Sequence, residues 1–123
     1  MIYAFWNNKG GTGKTSLSFQ TITRYAEKHE GENVLVIDLC PQANLSELFL
    51  GGLVGRGSAN LNSLYGENRK SVGGYFQDRL PSPFTVPPID ANNYIIKPNK
   101  YNSAISDNID ILAGDPIVEL QTN

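Results

Sequence analysis

Several residue types are scarce in this sequence, and each scarcity excludes a class of protein. Only one of the 123 residues is a cysteine, Cys40, so neither an intrachain disulfide nor a cysteine-rich zinc site can form. Charged residues make up 18% of the chain and the formal net charge is −2. Because phosphate backbones are bound by clustered Lys and Arg, this charge balance argues against a dominant nucleic-acid surface on these residues.

Long apolar runs are also missing. Residues 1–6 are apolar but lack the basic region and the long hydrophobic region of a signal peptide. No stretch approaches the roughly 20 apolar residues that a membrane-spanning helix needs. The sequence therefore predicts a cytoplasmic protein without a membrane segment. With 40% hydrophobic residues, the chain can still build one globular core.

The N-terminal third alternates between strand and helix patterns. Residues 2–6 form a continuous apolar run and residues 34–38 form an apolar run that ends in Asp38, as expected for buried strands of a parallel sheet. Between them, residues 14–29 contain no Gly or Pro and carry apolar side chains at helical spacing. Strand, glycine-rich loop, helix and strand make a βαβ unit with a right-handed crossover. The predicted fold class is α/β, with a mostly parallel sheet and flanking helices.

A short helix is predicted next, over residues 45–50. Asn44 or Ser46 is the expected N-cap, and Gly51-Gly52 the expected end. Residues 51–60 are rich in glycine and are expected to be mobile.

The remaining elements are predicted from turn residues and apolar runs. In chain order they are one or two short helices within 61–80 broken near Gly66 and Gly73-Gly74, an extended connection at 81–88, at most a short strand at 94–97, and a strand at 109–113. Gly114-Asp115-Pro116 should stop the last strand.

The strongest functional signal is a glycine-rich segment between the first predicted strand and the first predicted helix. Its expected nucleotide-binding residues are Lys9, Gly10, Gly11, Thr12, Gly13, Lys14, Thr15 and Ser16. Glycines let successive backbone N–H groups curl around phosphate oxygens, and the helix that follows directs its positive end at them. Lys14 is expected to contact the β- and γ-phosphates and the Thr15 hydroxyl to bind Mg²⁺. The alternative is a glycine turn that merely starts a helix. The motif predicts ATP or ADP with Mg²⁺ as cofactors.

This segment departs from the ordinary P-loop, which has Gly where the chain has Asn8. KGGTGKT, with its extra lysine at Lys9, resembles the deviant Walker A motif of the ParA/MinD family of P-loop ATPases (the SIMIBI class). The resemblance implies a P-loop NTPase-like fold and a homodimer formed through the nucleotide. It also implies that Lys9 reaches the nucleotide of the partner subunit. Taken alone, Lys9 would be a solvated loop lysine.

A second block, VLVIDLCPQANLS, is similar to the ParA-type segment D-x-D-P-Q-x-N. The match covers Asp38, Pro41, Gln42 and Asn44, and it favours the chromosome and plasmid partitioning proteins. By this resemblance Asp38 would bind a magnesium water, and Lys9, Lys14 and Asp38 would be the catalytic residues. Cys40 stands where the family has a second aspartate that positions water. A thiol does this poorly, so slow hydrolysis is expected.

The resemblance also implies an organisation of the chain. Residues 1–52 would be the well-matched core, 53–108 a variable switch or insert region, and 109–123 the third strand and the end of the fragment. The whole would be the N-terminal part of one larger ATPase domain, with DNA and a DNA-binding adaptor protein as partners of the full-length form. The isolated chain is expected to be inactive.

Two other functions fit the same motifs. One is a biosynthetic P-loop enzyme similar to cobyrinic acid a,c-diamide synthase. The other is a non-catalytic nucleotide-binding fragment that acts through protein contacts. A nitrogenase iron protein is excluded, because its cluster needs more cysteines than Cys40 alone.

Overall fold

The computed structural model describes residues 12–66, 68–79 and 91–117. The predicted strand at 2–6, the loop residues Lys9, Gly10 and Gly11, and the predicted connection at 81–88 lie outside these ranges. The elements are α1 (Thr12–Lys28), β1 (Val34–Ile37), α2 (Asn44–Phe49), α3 (Gly57–Ser63), α4 (Val72–Arg79), two short 3-10 helices (Ala91–Asn93 and Pro98–Lys100) and β2 (Ile109–Leu112).

The first helix confirms the periodicity of the sequence. Its apolar side chains Phe19, Ile22 and Ala26 face the core, and Ala26 is fully buried. The Phe19 ring meets Phe49 of α2 edge-on, with 4.8 Å between the ring centroids. This contact fixes α2 against α1, because edge-to-face aromatic pairs add to the burial of both rings.

The two strands pair in parallel, as the α/β prediction requires. Val34 lies opposite Ile109 and Val36 opposite Ile111. The ladder is extended at both ends by hydrogen bonds from the Val34 amide to the Asn108 carbonyl and from the Asp38 amide to the Leu112 carbonyl. The strand predicted at 109–113 is thereby confirmed.

The short strand expected at 94–97 is reduced to one antiparallel bridge between Ile96 and Ile111. The 3-10 helices on either side, Ala91–Asn93 and Pro98–Lys100, leave too few extended residues for a strand.

The prediction that β1 is buried on both faces is wrong. Val36 is buried, whereas Leu35 is 51% exposed and Ile37 52% exposed. The reason is that α1 and α2 pack on the sheet face that carries Val36, Ile109 and Ile111. An apolar run predicts a strand, but it does not show which face receives a helix.

Helix α2 forms where it was predicted, but its N-cap was predicted wrongly. The capping position is Ala43, in the left-handed conformation with φ 56°, and no side chain of the helix caps it. The Ser46 amide is instead bound by the carboxylate of Asp38, eight residues earlier in the chain. A carboxylate at the first turn satisfies an orphan N–H and complements the helix dipole, so a cap from α2 itself is unnecessary.

Residues 51–60 have more regular structure than their glycine content predicts. They form a hydrogen-bonded turn and the first half of α3. The Asn60 side-chain amide donates to the Leu50 carbonyl at 2.8 Å and to the Gly55 carbonyl at 3.2 Å. The first bond joins α3 to the end of α2, and the second joins α3 to the turn between the two helices.

The predicted helix break at Gly73-Gly74 is also wrong, because both residues lie inside α4. Both are buried. A Cβ atom at Gly74 would clash with the backbone carbonyl of Arg69, and one at Gly73 would clash with the carboxylate of Asp115. These glycines serve close packing, which outweighs their low helix propensity.

A partly buried ion pair holds the start of α4 against the residues after β2. Asp115 is fully buried and accepts two hydrogen bonds from the Arg69 guanidinium, through Nε to Oδ2 and through Nη2 to Oδ1. The Ser71 hydroxyl donates to Asp115 Oδ2 at 2.6 Å. The Arg69 guanidinium also lies over the Tyr65 ring, 4.6 Å from its centroid. From the sequence, Asp115 was predicted only as part of a strand-ending turn.

Candidate functional site

The predicted phosphate-binding residues that the structure describes lie in the first turns of α1. Thr12, Gly13 and Lys14 are helical from the first residue of α1, Thr15 is half-buried and Ser16 is exposed. The amides of a first helical turn have no partner within the helix and carry partial positive charge. This end of α1 is therefore suited to an anion. The other predicted binding residues, Lys9, Gly10 and Gly11, lie outside the described ranges.

Asp38 follows β1 directly and is only 4% exposed. Its Oδ1 accepts a hydrogen bond from the Cys40 amide at 3.0 Å. Its Oδ2 accepts one from the Ser46 amide at 3.1 Å and one from the Ser46 hydroxyl at 2.6 Å. The carboxylate is thus held by three donors at the end of the strand.

The protonation of Asp38 depends on two opposing effects. Burial raises the pKa of Asp38 above its ordinary value, and the hydrogen bonds from Ser46 and Cys40 offset only part of that rise. The three hydrogen bonds favour the ionised form, since each donor interacts more strongly with the charged carboxylate than with the neutral acid. Among the described residues, no lysine or arginine forms an ion pair with Asp38. The charge of the ionised Asp38 carboxylate is therefore available to a bound cation.

Ser46 connects Asp38 to the end of β2. Its hydroxyl accepts a hydrogen bond from the Gly114 amide at 2.8 Å while donating to Asp38. A Cβ atom at Gly114 would lie 2.8 Å from Asp38 Oδ2 and 2.9 Å from the Cβ of Ala43. The carboxylate is thus enclosed by α2 on one side and the Gly114 backbone on the other.

Ser46 and Gly114 were not predicted from the sequence as site residues. Ser46 was considered only as a helix cap and Gly114 only as a strand terminator. The one available signal was that Ser46 belongs to the second motif block, eight residues after Asp38.

The other residues of that block lie between β1 and α2. The Cys40 side chain is a free, half-buried thiol, and the Cys40 amide is the group that contacts Asp38. The Asn44 side-chain amide approaches the Gln42 side-chain oxygen at 3.5 Å. Of these residues, Cys40 contacts Asp38 through its backbone amide, whereas Gln42 and Asn44 contact each other.

Within the described ranges, no three His, Cys, Asp or Glu side chains cluster as a metal-ion site.

Across residues 12–66, 68–79 and 91–117, no helix has the length and apolar character required to cross a bilayer.

Comparison with known proteins agrees with the motifs. The model of the CobQ/CobB/MinD/ParA nucleotide-binding domain matches residues 3–118. Over 47 residues the chain is 43% identical to the arsenical pump-driving ATPase of Escherichia coli. The matched segment covers 38% of this chain and 8% of that protein. No solved structure matches the chain significantly. The expected resemblance and the α/β fold class are confirmed, and the chain belongs to the CobQ/CobB/MinD/ParA nucleotide-binding domain family.

Proposed function

We propose that the protein is an ATP-binding, ATP-dependent dimerising switch of the ParA partition type, with slow hydrolysis. The observation that supports it most is the buried Asp38 carboxylate at the carboxyl end of β1, the strand that follows the helix beginning inside the KGGTGKT segment. Ligands of α/β folds bind at the carboxyl ends of parallel strands, where such a carboxylate meets a helix N-terminus. A relative described as an ATPase supports ATP as the nucleotide.

The described residues suit a magnesium nucleotide. Mg²⁺ is usually held by one or two protein groups together with phosphates and water, so a three-carboxylate cluster is not required. The half-buried Thr15 hydroxyl would supply a direct ligand and Asp38 would accept a hydrogen bond from a coordinated water. Mg²⁺ bound there would offset charge on the β- and γ-phosphates.

The protein's own groups then divide the work. The loop amides and the first turn of α1 would hold the phosphates, Lys14 would neutralise the β- and γ-oxygens, and Lys9 would act on the nucleotide of the partner subunit. Asp38 accepts hydrogen bonds from the Cys40 amide and from the Ser46 amide and hydroxyl. A carboxylate held in this way is suited to act as a fixed hydrogen-bond acceptor and not as a mobile base.

A direct test is calorimetric titration of the full-length protein with ADP and with a slowly hydrolysed ATP analogue, each with and without Mg²⁺. We expect Mg²⁺ to strengthen the binding of both nucleotides. We expect dimerisation with the ATP analogue and not with ADP. A protein that binds neither nucleotide would contradict the proposal.

Replacing Lys9 with alanine should leave the monomer's nucleotide affinity nearly unchanged and weaken ATP-dependent dimerisation. The reason is that Lys9 offsets phosphate charge in the partner subunit and not in its own. Sedimentation velocity with the ATP analogue measures the effect. Lys28→Ala, at the exposed last turn of α1, is the matched control and should dimerise like the wild type. If Lys9→Ala dimerises like the wild type, Lys9 is a solvated loop lysine without a role between subunits.

Replacing Cys40 with aspartate should raise the rate of ATP hydrolysis by about 10²- to 10⁴-fold, the order expected for restoring a group that orients water. The Cys40 side chain is half-buried and its neighbour Asp38 is held through the Cys40 backbone, so the exchange need not disturb Asp38. A second carboxylate near phosphates carries an electrostatic cost, which Mg²⁺ and the two lysines should offset.

Single-turnover hydrolysis measures this change, with Cys40→Asn as the uncharged polar control. An unchanged rate in Cys40→Asp, with nucleotide affinity preserved, would mean that another residue positions the water.

The family description also includes CobQ and CobB, which keeps the biosynthetic enzyme as a second candidate. The Asp38, Pro41, Gln42 and Asn44 block favours the partition type. DNA and a DNA-binding adaptor protein are the partners that this proposal predicts. Filter binding of labelled duplex DNA in the presence of the ATP analogue would test the first of them.

A further inference from the structure

We propose that Ser46 is a positioning residue for magnesium-dependent nucleotide binding, because it fixes which oxygen of Asp38 remains available. This inference rests on the proposed function of the site. It adds a role for a residue that sequence analysis considered only as a helix cap.

The two oxygens of Asp38 differ in how much of their hydrogen-bonding capacity is used. Each carboxylate oxygen accepts about two hydrogen bonds. Oδ2 receives both of its bonds from Ser46, through the backbone amide and the hydroxyl. Oδ1 receives one, from the Cys40 amide. Among the described residues, the open acceptor position is therefore on Oδ1.

The direction of the Ser46 hydroxyl is fixed by its second partner. The Gly114 amide is a donor only, so the Ser46 oxygen must accept from Gly114 and send its single proton to Asp38. Ser46 is fully buried, so water does not compete for this proton. The carboxylate thus has one orientation, and outer contacts of this kind fix the groups that bind a metal or its waters.

Gly114 supports the same arrangement from the opposite side. Its missing side chain leaves room for Asp38 Oδ2, which a Cβ atom would approach to 2.8 Å. Gly114→Ala should therefore displace the carboxylate by a route independent of the Ser46 hydroxyl.

The chain offers a closely matched control in Ser71. It is also fully buried, its hydroxyl donates to an aspartate (Asp115) at 2.6 Å, and it accepts from a glycine amide (Gly74) at 3.1 Å. Ser71→Ala removes the same chemical group from the same kind of environment, but at the ion pair of Arg69 instead of at Asp38. Any effect of lost stability alone should appear in both variants.

The experiment measures ADP affinity by calorimetry with Mg²⁺ and with EDTA, for the wild type, Ser46→Ala, Ser46→Thr, Gly114→Ala and Ser71→Ala. The factor by which Mg²⁺ raises affinity should fall about 10-fold in Ser46→Ala and in Gly114→Ala, as for other residues that orient metal-bound groups. The magnesium effect should be unchanged in Ser71→Ala. In Ser46→Thr, which retains the hydroxyl, it should lie within about threefold of the wild-type value. Thermal melting confirms that each variant is folded.

The outcomes separate this inference from the proposed function. If Ser46→Ala and Gly114→Ala keep the full magnesium effect, or if Ser71→Ala loses as much as they do, the positioning role is wrong while nucleotide binding stands. If the wild type does not bind ADP under any condition, the proposed function itself is wrong.

Discussion

Replacing Lys14 with alanine is expected to weaken binding of ATP or ADP by about 2–5 kcal/mol, roughly 30- to 5,000-fold, the cost of removing one partner of a desolvated charge pair. Lys14 lies in the first turn of α1, inside the KGGTGKT segment. In a P-loop this lysine meets the β- and γ-phosphates, where the charge of the nucleotide is greatest. The loss should be larger for ATP than for AMP, which lacks those phosphates.

Calorimetry with the wild type and Lys14→Ala measures the loss, and Lys28→Ala at the other end of α1 serves as the control. The control removes the same charge from the same helix at an exposed position. It should bind like the wild type. Equal affinities of Lys14→Ala and the wild type would contradict the P-loop assignment.

The second large effect is expected on stability, from Arg69→Met. Methionine keeps most of the apolar stem but removes the guanidinium, which leaves the fully buried Asp115 without its cation. Breaking a fully buried ion pair from one side costs about 3–5 kcal/mol, because the remaining charge is desolvated and unpaired. Since the Arg69 side chain is 28% exposed, we expect a loss at the lower end of that range, about 3 kcal/mol. Loss of the contact with the Tyr65 ring adds to the cost.

Urea unfolding measures this change, with Lys97→Met as the matched control. Lys97 also pairs with an aspartate, Asp110, but the two side chains are 47% and 32% exposed. An exposed pair contributes roughly 0–1 kcal/mol, so the control should lose little. A loss in Arg69→Met no larger than in Lys97→Met would show that the buried pair does not stabilise the fold.

The stability cost of Arg69→Met should depend on pH in a defined direction. In the wild type, burial raises the pKa of Asp115, but hydrogen bonds from Arg69, Ser71 and the Ile117 amide outweigh it, so the pKa lies below its ordinary value of 3.8. This pair therefore contributes stability above that value, and the contribution is lost as pH falls through the lower folded pKa. Without Arg69, burial should raise the pKa of Asp115, so protonation relieves the variant.

The free-energy difference between wild type and Arg69→Met should therefore be largest near about pH 7 and smaller near about pH 4. The raised pKa of Asp38 is common to both proteins, so its effect on the difference cancels. A difference that grows as pH falls would contradict the assignment of the cost to the unpaired Asp115 carboxylate.

The sequence by itself determined the elements whose signals are local. Helix α1 follows from an uninterrupted helical pattern over residues 14–29, and β1 and β2 follow from short apolar runs. The KGGTGKT segment and the Asp38 block identified the family, because phosphate binding requires particular residue types at close spacing along the chain. Each of these inferences depends on neighbours within a few positions.

Only the tertiary structure decided which residues surround Asp38 and which glycines are packed. Ser46 and Gly114 are 68 residues apart, and Ser71 and Asp115 are 44 apart, so no local period brings them together. Gly73 and Gly74 look like helix breakers in sequence, yet they lie inside α4. These positions are glycine because Arg69 and Asp115 approach too closely for a Cβ atom. Parallel pairing of β1 with β2 places the carboxyl ends of both strands at the same edge of the sheet. The buried polar groups that meet there form hydrogen bonds with one another.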